Sequence, residues 1–472
     1  MESRKTFRSW EPGQYVHQPS TPGEVLPEDD LVFFLLDVVP SLDLSAMYAY
    51  YERETRGAPP FDVAMMATLL LYSYCVGVFS SRKIAAACER NLAFLAIVGK
   101  QRPDFRTISD FRKLHCQRVE GLFLDVLRLA GELGLVKLGN LALDGTKARA
   151  NALRHKAMSY GYMEKQLQRL RGEVAALMQQ AEQTDAEQDA ALGARRGDEL
   201  PAELKRRQDR MEAIEAAMKR LEAEAQQAAD LKRREREQAQ AEREEQGAKP
   251  SGRPPKAIDD RPADKAQTNF TDPEAKIMKT SNKGFDYCFN GQIVVDEEHQ
   301  IIVAAEVTSQ ANDKQQAIPL AQATLENLAA AGIELPKTSD EPDAPVKPIP
   351  LSADNGYFSE DNATVLESLP FDPHLATGRE KHNTPQPPVA EGQPAAEATA
   401  KQRMAHKLRT PTGRQCYAKR KQIVEPVFGQ LKHARGFRQF LLRGLKKVGA
   451  EWKLLCLTHN LLKIWRYQYA LT

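Results

Sequence analysis

Between residues 157 and 246 the chain carries two apolar stripes at heptad spacing, and this constrains its fold more tightly than any other feature. Met163, Leu167, Leu170, Val174 and Leu177 are spaced 4, 3, 4, 3. After the break GARRGDELP, Leu204, Met211, Ile214, Met218 and Leu221 are spaced 7, 3, 4, 3. A narrow stripe with this period is the seam of a coiled coil. Two seams around a break predict an antiparallel helical hairpin, each arm reaching roughly 45 Å for thirty residues. The surrounding Ala, Glu, Gln, Lys and Arg read as a solvated face, so the hairpin is assigned no chemistry. Such an arm cannot be part of a sheet. The apolar runs on either side of it, LGNLALD before and FDYCFNGQIVVD after, therefore read as strands of one core that the hairpin interrupts.

Taken in order, residues 1–27 are polar and proline-bearing, with Trp10 and Tyr15 as anchors onto something larger. Helices follow. Asp62 caps one carrying Met65 to Val76, Ser80 or Ser81 caps Arg82 to Glu89, and Thr107 caps a longer one from Ile108 to about Ala130. This succession reads either as a helix-turn-helix, with Arg106, Arg112 and Lys113 as DNA contacts, or as a plain bundle packed on the core. LGNLALD ends at Asp144, and Lys147, Arg149 and Asn151 lie on its exit. Beyond the hairpin and a proline-bearing return, FDYCFNGQIVVD and IIVAAEVTS form two strands joined at Glu297 to Gln300. Lys314 to Ala331 is a helix capped by Asn312 or Asp313. PIPLSAD is a strand ending at Asp354, Ser359 caps a short helix, and PHLATGR is a further strand. Residues 382–400 are low in complexity. Glu451 to Tyr467 is a closing amphipathic helix.

Three acids stand out by context. Asp144 and Asp354 each follow an apolar run and precede a turn signal, which puts a carboxylate at the rim of a sheet. Asp followed by Gly or Asn-Gly is also an ordinary turn. Glu425 lies in RKQIVEPVFGQLKHARGFRQFLLRG among Arg420, Lys421, Lys432, Arg435, Arg438 and Arg443. It reads as a salt-bridged helix residue, or as a metal ligand beside cations that hold a polyanion. Asp354 follows Asp144 by 210 residues, and Glu425 follows Asp354 by 71. Net charge is only +2, yet residues 401–472 hold 17 lysines and arginines against two acids. That asymmetry points to nucleic acid at the C-terminal end.

At these residues the chain resembles the bacterial insertion-sequence DDE transposases. The likeness is carried by LALDGTKARANA, LSADNGYFS and VEPVFGQLKHARGFRQFLLRG. SSRKIAAACERN, PDFRTISDFRKLH, TDPEAKIMK and GFDYCFNGQIVVD add to it. The resemblance implies an α/β fold with an RNase H-like mixed-sheet core, a helical N-terminal domain (1–135) and the hairpin (157–250) inserted into a core formed by 136–156 and 251–472. It implies that Asp144, Asp354 and Glu425 bind Mg²⁺ or Mn²⁺, as two ions. With them would go DNA cleavage at element ends and strand transfer into target DNA, by a homodimer on DNA. Lys147, Arg149, Lys421, Lys432, Arg435, Arg438 and Arg443 would hold phosphates. Many relatives carry Y-x-x-R-x-x-x-E-x-x-x-x-x-x-K around the glutamate. Here those positions are Ala418, Lys421, Glu425 and Lys432, with Tyr417 one residue out of place. Pro426 implies that the helix starts there or kinks. On an unbroken helix Lys421, Glu425 and Lys432 would share one face.

Other features bound the setting. Six cysteines are scattered with no C-x-x-C pair, which suggests a reducing compartment and no zinc site. MESRKTFRSW has no signal-peptide core, and the longest mainly apolar run, Met65 to Phe79, is short for a bilayer. A cytoplasmic, nucleoid-associated protein with no membrane partner is expected. Two rival readings remain: a nuclease that cuts without joining, and a DNA-binding protein that has lost the chemistry.

Overall fold

The computed structural model describes residues 22–53, 59–192, 202–245, 257–280, 284–339, 341, 344–378, 388–390, 392–395 and 397–470. Trp10, Tyr15, the break GARRGDELP and residues 382–387, 391 and 396 of the low-complexity stretch lie outside these.

Side-chain caps mark where the N-terminal helices begin. Helix α1 (Leu31–Val38) opens with the Asp30 carboxylate accepting from Val32 N, and α2 (Ser45–Tyr51) follows. Asp62 caps α3 (Val63–Cys75) through Met65 N, as expected, and α4 (Ser81–Arg90) starts after Ser80. Asn91 caps α5 (Leu92–Val98). The single helix expected from Ile108 to Ala130 is two, α6 (Phe105–Leu114) and α7 (Val119–Glu132). Asp104, not Thr107, is the cap of α6, because its carboxylate accepts from Thr107 N at 2.7 Å. Between the two helices His115 is buried with its ring nitrogens on Tyr51 Oη and Arg118, which holds the break.

The chain then enters its sheet. Strand β1 (Leu141–Arg149) leads to β2 (Ala157–Ser159), the hairpin helices α8 (Tyr160–Leu192) and α9 (Ala202–Glu245), and β3 (Gln267–Asn269). β2 and β3 pair antiparallel, so the two ends of the insertion are clamped together at its root. The hairpin has a small core of its own, with Tyr160, Met163, Leu167 and Leu170 against Ile214, Ala217 and Leu221. The heptad spacing is thus realised as a seam.

After the insertion come β4 (Lys276–Lys279), β5 (Phe285–Asp296), β6 (Ile302–Thr308), α10 (Ala317–Ala330), β7 (Ile349–Ala353), α11 (Glu360–Ser368) and β8 (Phe371–Leu375). The main sheet runs β4-β5-β1-β7-β8, with β6 also on β5. β1, β5 and β6 are antiparallel, whereas β1, β7 and β8 are parallel. The sheet thus mixes parallel and antiparallel strands, with helices beside it, and the fold is mixed α/β as expected. β8 starts two residues before the expected PHLATGR. Its Pro373 is tolerated because β8 is an edge strand.

Three helices close the chain: α12 (Ala400–Lys407), α13 (Pro411–Gly429) and α14 (Leu445–Ala470). Pro426 lies inside α13 and does not start it. The carbonyl it leaves without a partner is that of Gln422, four residues back. Gln300 Nε2 donates to that oxygen at 3.0 Å. α14 begins six residues before Glu451. Its first amides are taken by the TDPE segment: Gly444 N donates to Asp272 Oδ2 and Leu445 N to Glu274 Oε2. One continuous apolar core joins the N-terminal helices, the sheet and α14. Among the described residues no single helix is long and apolar enough to cross a membrane, and all six cysteines are free.

Candidate active site

The parallel register of β1 and β7 pairs Leu141 with Leu351, Ala142 with Ser352 and Leu143 with Ala353. One step further brings Asp144 beside Asp354. Asp144 does not end its strand, as the sequence suggested. β1 continues to Arg149 against β5, but its pairing with β7 stops at Leu143. Asp144 is thus the first residue of β1 past its pairing with β7, and among the described residues that edge is met again only by Lys432 at Lys147 O and by residues 438–440 at Arg149. Asp354 sits where β7 gives way to a one-turn 3-10 helix (Asn355–Tyr357), and its Oδ1 accepts from Gly356 N at 2.8 Å.

Asp144 Oδ1 accepts from Gly145 N at 2.8 Å, and Oδ2 accepts from Arg420 Nη1 of α13 at 3.0 Å. Burial pushes this carboxyl up to about 6. The Arg420 guanidinium opposes that shift and the nearby Asp354 adds to it. Arg420 is itself buried, 8% exposed, and lies over the Tyr417 ring at 5.9 Å. Tyr417 and Arg420 thus hold the Y-x-x-R spacing, one residue out of register with Glu425. The signal was in the sequence, but anchoring the signature on the glutamate hid it.

Glu425 is exposed on α13. Arg420 precedes it by five residues, about 140° around a helix at roughly 100° per residue. With Arg420 turned in towards Asp144, Glu425 faces solvent. Among the described residues no three His, Cys, Asp or Glu side chains are grouped to hold a metal ion. The structure brings the two aspartates together and leaves Glu425 apart from them.

The expected cations separate into three sets. After Gly429 the helix widens into a π turn (Gln430–Ala434), so the regular α-helix that would put Lys421, Glu425 and Lys432 on one face does not reach Lys432. Lys432 swings onto β1, its Nζ donating to Lys147 O at 2.8 Å, and burial lowers it to about 8. Arg149 N donates to Arg438 O, and Arg443 Nε donates to Asn151 O. Lys147, Arg149, Lys432, Arg438 and Arg443 therefore lie along the second half of β1 and its exit, starting three residues from Asp144. Lys421 is exposed on α13. Arg106 and Lys113 are exposed on α6, where Arg106 and Arg82 both lie over the exposed Phe105 ring.

Arg112 and Arg435 are corrections. Arg112 is 7% exposed, donating to Tyr74 Oη, Phe79 O and Ser81 Oγ with the buried Glu451 nearby. Arg435 is 8% exposed, donating to Thr458 Oγ1, Leu455 O and Tyr74 O. Both guanidiniums are spent on interior oxygens, so neither is a surface phosphate or base contact.

Four further polar residues, Asn290, Gln292, Asp313 and Tyr357, had no reading as site residues. Asp313, in the turn before α10, accepts on Oδ1 from Asn290 Nδ2 at 2.6 Å and Gln292 Nε2 at 2.7 Å. The Tyr357 hydroxyl donates to Gln292 Oε1. Gly145 and Gly356, whose Asp-Gly and Asp-Asn-Gly settings read as turn signals, are clearances. A Cβ on Gly145 would run into Gln292 Nε2, and one on Gly356 would lie 3.4 Å from Asp313 Oδ2.

Two family models match the chain. One, described as a transposase DDE domain, covers residues 389–465, and the other, described as a transposase domain (DUF772), covers residues 21–114. No curated protein and no solved structure matches it.

Proposed function

Both matched segments are transposase segments and indicate an insertion-sequence DDE transposase; on that premise we propose that the chain cuts DNA at the ends of its element and joins them to target DNA. The observation that carries the reading is the Asp144–Asp354 pair on adjacent parallel strands, with a basic ridge starting on the same strand. The donor set suits a hard divalent cation, Mg²⁺ or Mn²⁺. Asp144 is desolvated and has one guanidinium to balance two neighbouring carboxylates, so the pair is short of positive charge. Asp144 and Asp354 would hold the cation. Glu425 would be the third ligand by resemblance alone, since it lies on the exposed face of α13. When bound, two such ions activate the attacking oxygen and neutralise charge on the leaving one.

The chain's own residues supply the rest. Lys147, Arg149, Lys432, Arg438 and Arg443 grip the DNA backbone beside the reacting phosphate, and Lys421 extends this grip along α13. Arg420 holds Asp144 in place and keeps it ionised near neutral pH. Arg106 and Lys113 contact DNA from α6, and two copies assemble on the paired element ends.

Labelled element-end DNA incubated with the protein and Mg²⁺ tests this, since joined product, cut product and bound DNA only correspond to transposase, nuclease and silent binder. Asp144→Asn, Asp354→Asn and Glu425→Gln are each expected to abolish cleavage while DNA binding persists. An acid whose replacement leaves cleavage near wild-type is not part of the site.

A further inference from the structure

Behind the aspartate pair lies a closed set of polar contacts. Asn290 and Gln292 sit two apart on β5 and so present to the same face. They are 1% and 0% exposed. Both amides converge on one oxygen, Oδ1 of Asp313. The other end of Gln292 accepts from Tyr357, a fully buried ring three residues after Asp354. Every donor and acceptor of the Gln292 side chain is thereby fixed in direction, and two elements of the site wall are tied to one carboxylate.

The second oxygen of that carboxylate is not used in this way. Asp313 Oδ2 has no hydrogen-bond donor, and no cation pairs with Asp313, among the described residues. Asp313 Oδ2 and Asp354 Oδ1 face the same small space, because a Cβ on Gly356 would lie 3.4 Å from the first and 3.0 Å from the second. Asp144 and Asp354 share the opening where β1 and β7 part. The acids do not close on a single ion directly. A water on a hydrated cation spans such a gap, and Mg²⁺ characteristically keeps several of its waters.

We propose that Asp313 is a positioning residue for the cation held by Asp144 and Asp354, its Oδ2 accepting a hydrogen bond from a metal-bound water while its Oδ1 locks Asn290, Gln292 and, through Gln292, Tyr357. The inference rests on the Asp144–Asp354 reading. It accounts for an observation that reading leaves aside, namely why glycine follows Asp144 directly and Asp354 at the second residue. A side chain at 145 would run into Gln292 and Asp313 Oδ1, and one at 356 would fill the space between Asp313 Oδ2 and Asp354 Oδ1.

Mn²⁺ binding to the full chain without DNA, followed by the electron paramagnetic resonance of free Mn²⁺, tests the proposal independently of turnover. Asp313→Asn keeps an oxygen for the two amides but turns Oδ2 into a donor facing the water. Its melting without metal should match wild type, while its Mn²⁺ affinity falls by about 10–100-fold, the usual loss for a group that orients metal ligands. Asp313→Glu keeps the charge and should lose less than Asp313→Asn. Wild-type affinity in Asp313→Asn overturns the proposal, as does an equal loss in both variants. If Asp313→Asn does not fold, Asp313→Ser is judged by the same criterion. Asp144→Asn separates the two levels: if it binds Mn²⁺ like wild type, the metal-site reading itself is wrong, whatever Asp313 does.

Discussion

Arg112 is where the structure departs furthest from a surface reading, and Arg112→Met puts the departure to a quantitative test. The guanidinium makes hydrogen bonds of 2.9–3.4 Å to Phe79 O, Tyr74 Oη and Ser81 Oγ. The Tyr74 hydroxyl in turn meets Glu451, which is 1% exposed and accepts from Leu441 N and Leu442 N. Methionine fills most of the volume but leaves Glu451 a buried anion without a counter-charge. Arg112 and Glu451 are joined through the Tyr74 hydroxyl and not in direct contact, so the loss should approach but not exceed that of breaking a direct buried pair, about 3–5 kcal/mol. That is a large share of the roughly 5–15 kcal/mol that holds a folded protein together. Glu451→Gln leaves the two backbone amides an oxygen, so adding it to Arg112→Met should recover part of the loss. The effect should also depend on pH in a definite direction. Burial raises the Glu451 carboxyl, and the Arg112 charge opposes the rise. Without Arg112 the folded-state value climbs further above the unfolded one. A raised carboxyl favours the folded state while protonated, and that contribution disappears as pH rises through the folded-state value. The deficit of Arg112→Met should therefore be smallest near pH 4 and grow towards neutrality. Urea unfolding followed by circular dichroism at several pH values measures it. Unchanged unfolding together with lost preference for specific over random DNA would refute the argument and return Arg112 to the DNA surface.

Four further outcomes follow from the same geometry. Arg435→Ala should destabilise the protein by several kcal/mol, because three interior oxygens lose a charged donor, whereas Arg438→Ala should leave melting unchanged. Arg438→Ala should instead weaken specific and random DNA alike and reduce the salt slope of binding by about one. Mn²⁺ affinity should fall as pH drops below about 6, where a proton competes for Asp144; a flat titration from pH 5 to 8 would show that Asp144 is not a ligand. Replacing residues 160–245 by a short Gly/Ser linker should preserve metal-dependent nicking, since β2 and β3 still pair at the root, and a folded deletion variant that no longer binds Mn²⁺ would contradict this.

What the sequence reveals depends on how local the physics is. The heptad stripes were legible because a seam repeats the same decision along many turns, and the hairpin buries Met163, Leu167, Leu170, Ile214 and Leu221 of those stripes. The Asp62 and Ser359 caps were legible because a cap and its amides lie within three residues. The succession of elements along the chain could be expected from the resemblance, but which strands pair depends on contacts far apart in sequence, such as β1 beside β7. The end of β1 was misjudged because Asp-Gly signals a turn only where the backbone is free to take it, and here β5 holds the strand straight through. Arg112 and Arg435 were taken for surface cations because the oxygens that consume them come from elsewhere in the chain. Arg435 and Tyr74 O, for example, are 361 residues apart. Asp313 was read only as one of two candidate helix caps, beside Asn312, for the same reason: nothing in ANDKQQA reports two amides on β5.

The arrangement around Asp144 also bears on how a cation would be received. Arg420 is too deeply buried to swing into solvent when a cation arrives, and its helix is packed over both strands of the pair. The guanidinium therefore stays on Oδ2, while Oδ1 keeps the Gly145 amide. Each carboxylate oxygen can accept about two partners, so each retains one lone pair. A cation at Asp144 then adds to the ion pair and need not replace it. Arg420 lowers the carboxyl towards ionisation, and the added cation supplies the charge that a single guanidinium cannot provide for two carboxylates. Lysine at position 420 would be a poorer substitute than its charge suggests, because it lacks the planar fork that lets one side chain hold Asp144 and lie over Tyr417 together.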